Sequence, residues 1–89
     1  MDSAQVQNAC QEWALNNYQS DRNFRRFSDT SSYQASKVDV RNILGGDALA
    51  GEVFDTSGND PTPTYFFSVS IYLDTSNIPH VYTSYPVTG

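Results

Sequence analysis

One nine-residue stretch constrains the fold of this chain more than any other feature, because its side chains alternate between two classes. The odd-numbered positions are Tyr65, Phe67, Val69, Ile71 and Leu73, and between them stand Phe66, Ser68, Ser70 and Tyr72. A period of two predicts a β-strand with one buried face. The chain must therefore supply further strands and an element that covers the apolar side of the sheet.

The alternation resumes after a turn, in Val81, Thr83, Tyr85 and Val87, and predicts a hairpin whose two apolar sets share a face. Sharing a face requires a loop of odd length. We predict a three-residue loop, Ser76 to Ile78, in which Asn77 takes the left-handed conformation. The expected pairs are Leu73 with Val81, Tyr72 with Tyr82, and Asp74 with His80.

The N-terminal segment Ser3 to Tyr18 has the spacing of an amphipathic helix. Its apolar stripe consists of Val6, Cys10, Trp13, Ala14 and Asn17. Trp13 is the single tryptophan and lies in this stripe, so we expect it to anchor the helix on the sheet.

The middle of the chain is irregular. We interpret Arg22 to Phe27 as a basic and aromatic connector, and Tyr33 to Arg41 as a strand with a bulge near Ser36. The segment from Asn42 to Gly51 interrupts the strands. After it we expect a brief strand from Glu52 to Asp55 and an exposed loop from Asp55 to Pro63. The order predicts an α+β fold. Residues 1–89 form a single small domain in which one N-terminal helix packs on a three- or four-stranded antiparallel sheet.

Charge is distributed unevenly along the chain. The formal net charge is −5, every Lys and Arg lies between Arg22 and Arg41, and the five acids from Asp47 to Asp74 have no basic counterpart in that half. Duplex-binding domains gain most of their affinity by neutralising phosphates with Lys and Arg, so nucleic acid is not predicted as a partner. No apolar run approaches the length of a membrane span, and none is predicted.

Catalytic and metal sites have few candidates. The single Cys and single His suggest a Cys10 and His80 dyad, but Cys10 falls on the core stripe and His80 on the outward face. We expect His80 to form an exposed pair with Asp74 instead. A carboxylate pair among Asp39, Asp47, Glu52 and Asp55 stays open. The segment from Asp55 to Asp60 resembles part of a calcium loop but lacks the glycine and glutamate positions, so no metal and no cofactor are predicted.

Two groups of residues are candidates for binding. Phe66, Tyr72 and Tyr82 are expected on the sheet face away from the helix, where they form either a contact surface or a layer covered by another segment or a second copy. Arg22, Arg25 and Arg26 form either a site for an anion or acidic protein or a solvated basic turn.

These observations favour a non-catalytic protein-binding or assembly module, with a protein partner or self-association. One alternative is a small acidic inhibitor of the phage type, which would occupy a basic site on a host protein. The other is a small hydrolase that uses Cys10 or a carboxylate pair.

The first half of the chain combines Cys10 in a helix, the Phe24 and Phe27 segment, and a strand that ends in Val-Asp-x-x-Asn-x-x-Gly, from Val38 to Gly45. In this combination it resembles a family of small helix-plus-sheet domains in bacterial exported or lipid-anchored proteins of unknown function. Such domains commonly carry a second Cys on the next strand, which is absent here, and the segment from Asp47 to Pro63 is extra. The resemblance implies this fold and an extracytoplasmic location; without it we expect a cytoplasmic protein.

Overall fold

The computed structural model describes residues 3–26, 31–46, 48–53 and 61–88. The elements in chain order are α1 (Ser3–Asn17), β1 (Phe24–Arg26), β2 (Ser32–Asp39), α2 (Arg41–Leu44), β3 (Gly51–Val53), β4 (Thr62–Thr64), β5 (Phe66–Leu73) and β6 (Pro79–Val87). Four strands form an antiparallel sheet in the order β1-β2-β5-β6, and β3 pairs with β4 in a small second sheet. The predicted α+β class, a helix packed on an antiparallel sheet, is confirmed.

The helix α1 packs on the sheet through the predicted stripe. Val6, Cys10 and Ala14 are buried, one turn apart along the helix. The Trp13 ring lies 5.7 Å from the Phe24 ring and 6.3 Å from the Phe67 ring, measured between centroids. Trp13 therefore anchors the helix as predicted, by aromatic contacts with two strands.

The sheet contributes the other half of the core. Its buried apolar residues on the helix side are Ala35, Val38, Phe67, Val69 and Ile71. The register of β2 against β5 shifts between Ala35 and Val38, which confirms the bulge predicted near Ser36. The extra residue returns Val38 to the buried side, so that both halves of β2 reach the same core.

The hairpin between β5 and β6 differs from the prediction in its register. Leu73 stands opposite Pro79, Tyr72 opposite His80 and Ile71 opposite Val81, so the loop contains five residues rather than three. Its length is still odd, and Asn77 has the predicted left-handed conformation with φ of 64°. The longer loop is closed by Asp74, whose carboxylate accepts the N–H groups of Ser76 and Ile78 at 2.8 and 3.0 Å.

A second bulge, in β6, changes which residues of this strand face the helix and which face away from it. Ile71 pairs with Val81 but Ser70 pairs with Thr83, which leaves Tyr82 as the extra residue. Beyond the bulge, Ser84 and Pro86 stand on the helix side, opposite Val69 and Phe67. The predicted inward positions of Thr83, Tyr85 and Val87 are therefore wrong, because a bulge reverses the alternation and periodicity alone does not reveal it.

Three short elements, β1, α2 and β4, were not predicted from the sequence. The predicted connector from Arg22 to Phe27 contains the edge strand β1, in which Phe24 stands opposite Ala35. The predicted break from Asn42 to Gly51 begins with the short helix α2, whose Ile43 and Leu44 pack against the core.

Of the brief strand predicted from Glu52 to Asp55, the first two residues belong to β3, and residues 54 and 55 lie outside the described residues. Residues 55–60 of the loop predicted from Asp55 to Pro63 also lie outside them. Thr62 and Pro63 are in the strand β4, so the loop prediction is wrong at its end, where pairing with β3 forms a strand.

The Val-Asp-x-x-Asn-x-x-Gly motif builds the turn from β2 into α2. Val38 and Val40 are buried on either side of Asp39. The Asp39 carboxylate accepts the backbone N–H of Arg41 at 2.9 Å, which starts the helical turn. Gly45 ends it with φ of 71°, a left-handed conformation that glycine adopts without a steric cost.

The strand β6 lies at the edge of the sheet, and both of its prolines face outward along that edge. Leu73 donates its N–H to the carbonyl oxygen of Ser31, on the β2 side of β5. Because successive N–H groups of a strand point to opposite sides, the even-numbered residues of β5 point their N–H groups towards β6. Pro79 and Pro86 stand opposite Leu73 and Phe67, at positions whose nitrogen points away from β5. Their missing N–H groups therefore cost no hydrogen bond within the sheet.

The buried hydroxyl of Thr64 joins β4 to the end of the β5–β6 hairpin. It accepts the N–H of Phe66 at 3.1 Å and donates to the carbonyl oxygen of Val87 at 2.7 Å. The hydroxyl thus bridges two backbone groups that face each other across the last pair of the ladder.

None of the helices in the described part of the chain has the length and apolar character needed to cross a membrane.

Candidate functional site

The side of the four-stranded sheet that faces away from α1 is the candidate site, and we call it the outer face. In register order its residues are Arg25, Gln34, Ser70 and Thr83 in one row, Tyr72 and His80 in the row nearest the hairpin loop, Ser68 and Tyr85 in a third, and Asp39, Phe66 and Val87 in the last. The face is thus mostly neutral and rich in hydroxyl groups and aromatic rings.

Three tyrosines are the large exposed side chains of this face. The exposed fractions are 39% for Tyr72, 76% for Tyr82 and 48% for Tyr85. The rings of Tyr72 and Tyr82 meet edge to face with centroids 6.4 Å apart. Because Tyr82 is the bulged residue, its side chain is set beside Tyr72 rather than into the core.

A hydrogen-bonded pair of side chains next to the hairpin loop supports the Tyr72 ring. The Nε2 atom of His80 lies 2.8 Å from a carboxylate oxygen of Asp74, and the His80 ring stacks on Tyr72 with centroids 5.2 Å apart. The bond from His80 and the N–H groups of Ile78 and Ser76 lower the pKa of Asp74. The exposed pair predicted for Asp74 and His80 is confirmed, and it orients an aromatic ring as well.

Phe66 lies on the outer face, as predicted, but apart from the tyrosine pair. Tyr72 follows Phe66 by six positions along β5, which is a distance of about 20 Å along a strand. The Lys37 ammonium lies 4.8 Å from the centre of the Phe66 ring, in cation–π contact. The three predicted aromatic residues therefore form two groups, one at each end of the face.

The structure separates the three predicted arginines. Arg25 stands opposite Gln34 on the outer face, whereas Arg26 stands opposite Tyr33 on the helix side with its guanidinium 6.0 Å from the Tyr33 ring centre. Arg22 lies in the turn before β1 and is exposed. The three side chains do not face one common point, although Arg25 and Lys37 give the outer face two cations.

Cys10 and His80 lie on opposite sides of the sheet. Cys10 is 3% exposed in the core, and burial raises the pKa of its thiol to about 11. The thiol is therefore protonated at neutral pH, and His80, on the other side of the sheet, is not placed to act as its base. Cys10 and His80 do not form the dyad that was considered for the sequence.

The carboxylates are dispersed. Asp39 forms a two-point pair with Arg41, at 3.0 and 2.8 Å, and these bonds lower the pKa of Asp39. Glu52 lies on β3, while Asp47 and Asp55 fall outside the described residues, as does the whole segment resembling a calcium loop. Among the residues that are described, no group of three His, Cys, Asp or Glu side chains comes together to hold a metal.

The inner side of β6 borders a small cavity of about 100 Å³, partly open to solvent, between α1 and the core. Cys10, Ala50 and Pro86 lie on its wall. Pockets for small molecules typically have about 300–1,000 Å³, so this cavity is too small for such a ligand.

Tyr85 is the outer-face tyrosine that sequence reasoning missed, together with its strand neighbours Thr83 and Val87. The strict alternation of β6 predicted it to be buried, and the bulge at Tyr82 places it opposite Ser68 on the outer face. Pro86, which interrupts the alternation after Tyr85, is the one signal in the sequence that a simple strand does not extend through this region.

Comparison with protein-family models, with curated proteins and with solved structures found no match. The resemblance to domains of bacterial exported proteins stays a prediction, as do the inhibitor and hydrolase alternatives.

Proposed function

We propose that this chain is a non-catalytic protein-binding or assembly module whose contact surface is the outer face. The proposal is carried by one observation, which is that three partly exposed tyrosines lie on the sheet face that α1 leaves uncovered. Tyrosine is enriched at protein interfaces because it buries a large area, loses little conformational entropy and keeps a hydroxyl for hydrogen bonding.

The neighbouring side chains support contact with another protein. Ser70, Gln34 and Thr83 form a neutral row between the tyrosine pair and the Lys37 end of the face. Asp74 and Asp39 already have partners within the chain, so burying this face would leave neither carboxylate unpaired. An interface core of tyrosines surrounded by short polar side chains is typical of reversible protein contacts.

Site-specific photocrosslinking in the source cells tests the proposal. A benzophenone amino acid is placed at Tyr82 in one variant and at Asn16, on the polar side of α1, in a matched control. We expect covalent adducts with protein from position 82 and few from position 16, and mass spectrometry identifies them. Equal yields of adducts from the two positions, or none from position 82, would contradict the proposal.

A further inference from the structure

We propose that the partner of the outer face is a second copy of this chain, in a reversible dimer whose twofold axis runs parallel to the strands. This inference rests on the proposed function and names the partner. Three features of the molecule support it: the distribution of charge over the outer face, the prolines of β6 that hinder the addition of another strand at this edge, and the small size of the core.

The cations and the tyrosines occupy opposite halves of the outer face. Arg25 and Lys37 are exposed on the β1 and β2 side, and neither has an acidic partner within the described residues. The β5 and β6 side has no lysine or arginine and presents the three tyrosine rings and the carboxylate of Asp74. Cations are attracted to the negative faces of aromatic rings and to carboxylates, so the two halves are complementary to each other.

A twofold axis parallel to the strands brings these halves together. It places β1 and β2 of one copy over β6 and β5 of the other while keeping the same height along the strands. Within one copy, Arg25 and Thr83 stand at the same height along the strands, at the two ends of the row that runs through Gln34 and Ser70. In the dimer, Arg25 therefore lies at the height of Thr83 and its neighbour Tyr82 in the second copy. Lys37, in the bulge opposite Ser68, lies at the level of Tyr85. An axis across the strands would instead oppose cations to cations.

The edge of the sheet offers no comparable route to association. Pro79 and Pro86 remove N–H groups from the outward side of β6, and the bulge at Tyr82 interrupts the regular spacing between them. The other edge strand, β1, is only three residues long. Association is therefore expected through the face of the sheet, where sheets pack about 10 Å apart.

The core of a single copy is small. Among the described residues, nine apolar side chains are buried in it, and one of these nine, Phe67, is aromatic; they are Val6, Cys10, Ala14, Ala35, Val38, Val40, Phe67, Val69 and Ile71. A short chain with such a core gains from any apolar area that it buries between copies. Four strands of this length present a face of roughly 500 Å², so a dimer would bury about 1,000 Å² in total, near the lower limit for specific interfaces. We therefore expect a weak dimer, with Kd above ~1 μM.

Sedimentation equilibrium from about 1 μM to 1 mM protein tests this inference, at a salt concentration of about 0.15 M, where the net charge of −5 is screened beyond ~8 Å. Wild type is expected to show a monomer and dimer equilibrium. Tyr82→Ser and Lys37→Ser are each expected to weaken it by about 5- to 30-fold, because each contact occurs twice. Arg22→Ser, in the turn away from the face, is the control and leaves Kd unchanged.

Chemical cross-linking between introduced cysteines tests the direction of the axis. In a Cys10→Ser background, Arg25→Cys protein mixed with Thr83→Cys protein is expected to be joined by a bismaleimide that spans about 10 Å, the separation of packed sheets. Neither protein alone is expected to be joined in this way. Circular dichroism verifies that each variant is folded. A monomer at every concentration, or a dimer whose Kd none of the face variants changes, would overturn the inference. If the photocrosslinker at position 82 formed adducts with other proteins but none with a second copy of this chain, the inferred dimer would be wrong and the proposed function would still stand.

Discussion

Cys10 illustrates at the scale of a residue how burial suppresses reactivity. Its thiol is surrounded by the core, and burial raises its pKa to about 11. We expect iodoacetamide to leave it unmodified at pH 7.5 in the folded protein and to alkylate it fully in guanidinium, as measured by intact mass. Rapid alkylation of the folded protein would show that the thiol is accessible.

The same pKa determines how stability changes in alkaline solution. A thiol whose pKa is raised by folding stabilises the native state fully below the ordinary value of 9.0. This contribution is lost as the pH rises from there towards about 11, because the unfolded chain gains free energy by ionising first. Cys10→Ala removes this source of pH dependence.

Asp74 shows the opposite dependence. Bonds from His80 and from two loop N–H groups lower its pKa, so its contribution to stability is present above the ordinary value of 3.8 and is lost as the pH falls below it. We expect Asp74→Asn to have a lower Tm than wild type at pH 7, with the difference shrinking below pH 3.8. Thermal unfolding followed by circular dichroism measures both.

The exposed Glu52 on β3 provides the control for this measurement, as the variant Glu52→Gln. We expect this variant to retain the wild-type Tm at pH 7. A Tm difference for Asp74→Asn that is constant down to pH 2.5 would mean that the carboxylate charge does not stabilise the loop.

At the scale of elements, the Thr64 hydroxyl connects β4 to the hairpin. Thr64→Val keeps the shape of the side chain but leaves the N–H of Phe66 and the carbonyl of Val87 without their bridging partner. Thr64 is 7% exposed, so water does not replace the hydroxyl easily. We expect the free energy of unfolding to fall by about 1–3 kcal/mol.

Urea unfolding measures this loss, and Thr64→Ser is the matched variant because it retains the hydroxyl. The serine variant should lose less stability than the valine variant. Equal stability of the valine variant and wild type would show that the bridge contributes nothing.

The elements that could be predicted are those whose signal is periodic. The apolar stripe of α1 and the alternation of β5 each predicted their element. In β2 the larger side chains change from odd positions, Tyr33 and Ala35, to even positions, Val38 and Val40, and this change predicted the bulge near Ser36. The register of β6 could not be predicted, because the five-residue loop depends on an Asp74 carboxylate that binds two N–H groups, and the bulge at Tyr82 has no periodic signal. Consequently Tyr72 and Tyr82 were correctly placed on the outer face, whereas Tyr85 was not.

Short elements escaped prediction for a different reason. The strand β1 has only three residues, two of them arginines, and it exists because Phe24 packs against Trp13. Its stability comes from a tertiary contact, which local patterns in a sequence do not encode.

At the scale of the whole molecule, Trp13 joins the helix to the sheet. Trp13→Ala removes its contacts with Phe24 and Phe67 and is expected to cost about 3 kcal/mol. A domain of this size has a total stability of only ~4–13 kcal/mol, so the loss is a large fraction. Guanidinium unfolding followed by circular dichroism measures it.

Trp13→Phe preserves part of the aromatic contact and should fall between wild type and the alanine variant. If both variants were as stable as wild type, the helix would have to be held by Val6, Cys10 and Ala14 alone.

The two prolines of β6 also bear on how the protein behaves when it is crowded. Growth of cross-β fibres requires each added strand to find a continuous row of free N–H and C=O groups. Pro79 and Pro86 interrupt that row near both ends of β6, the longer of the two edge strands of the four-stranded sheet. We therefore expect β6 of the folded protein to be a poor template for added strands, even at high protein concentration.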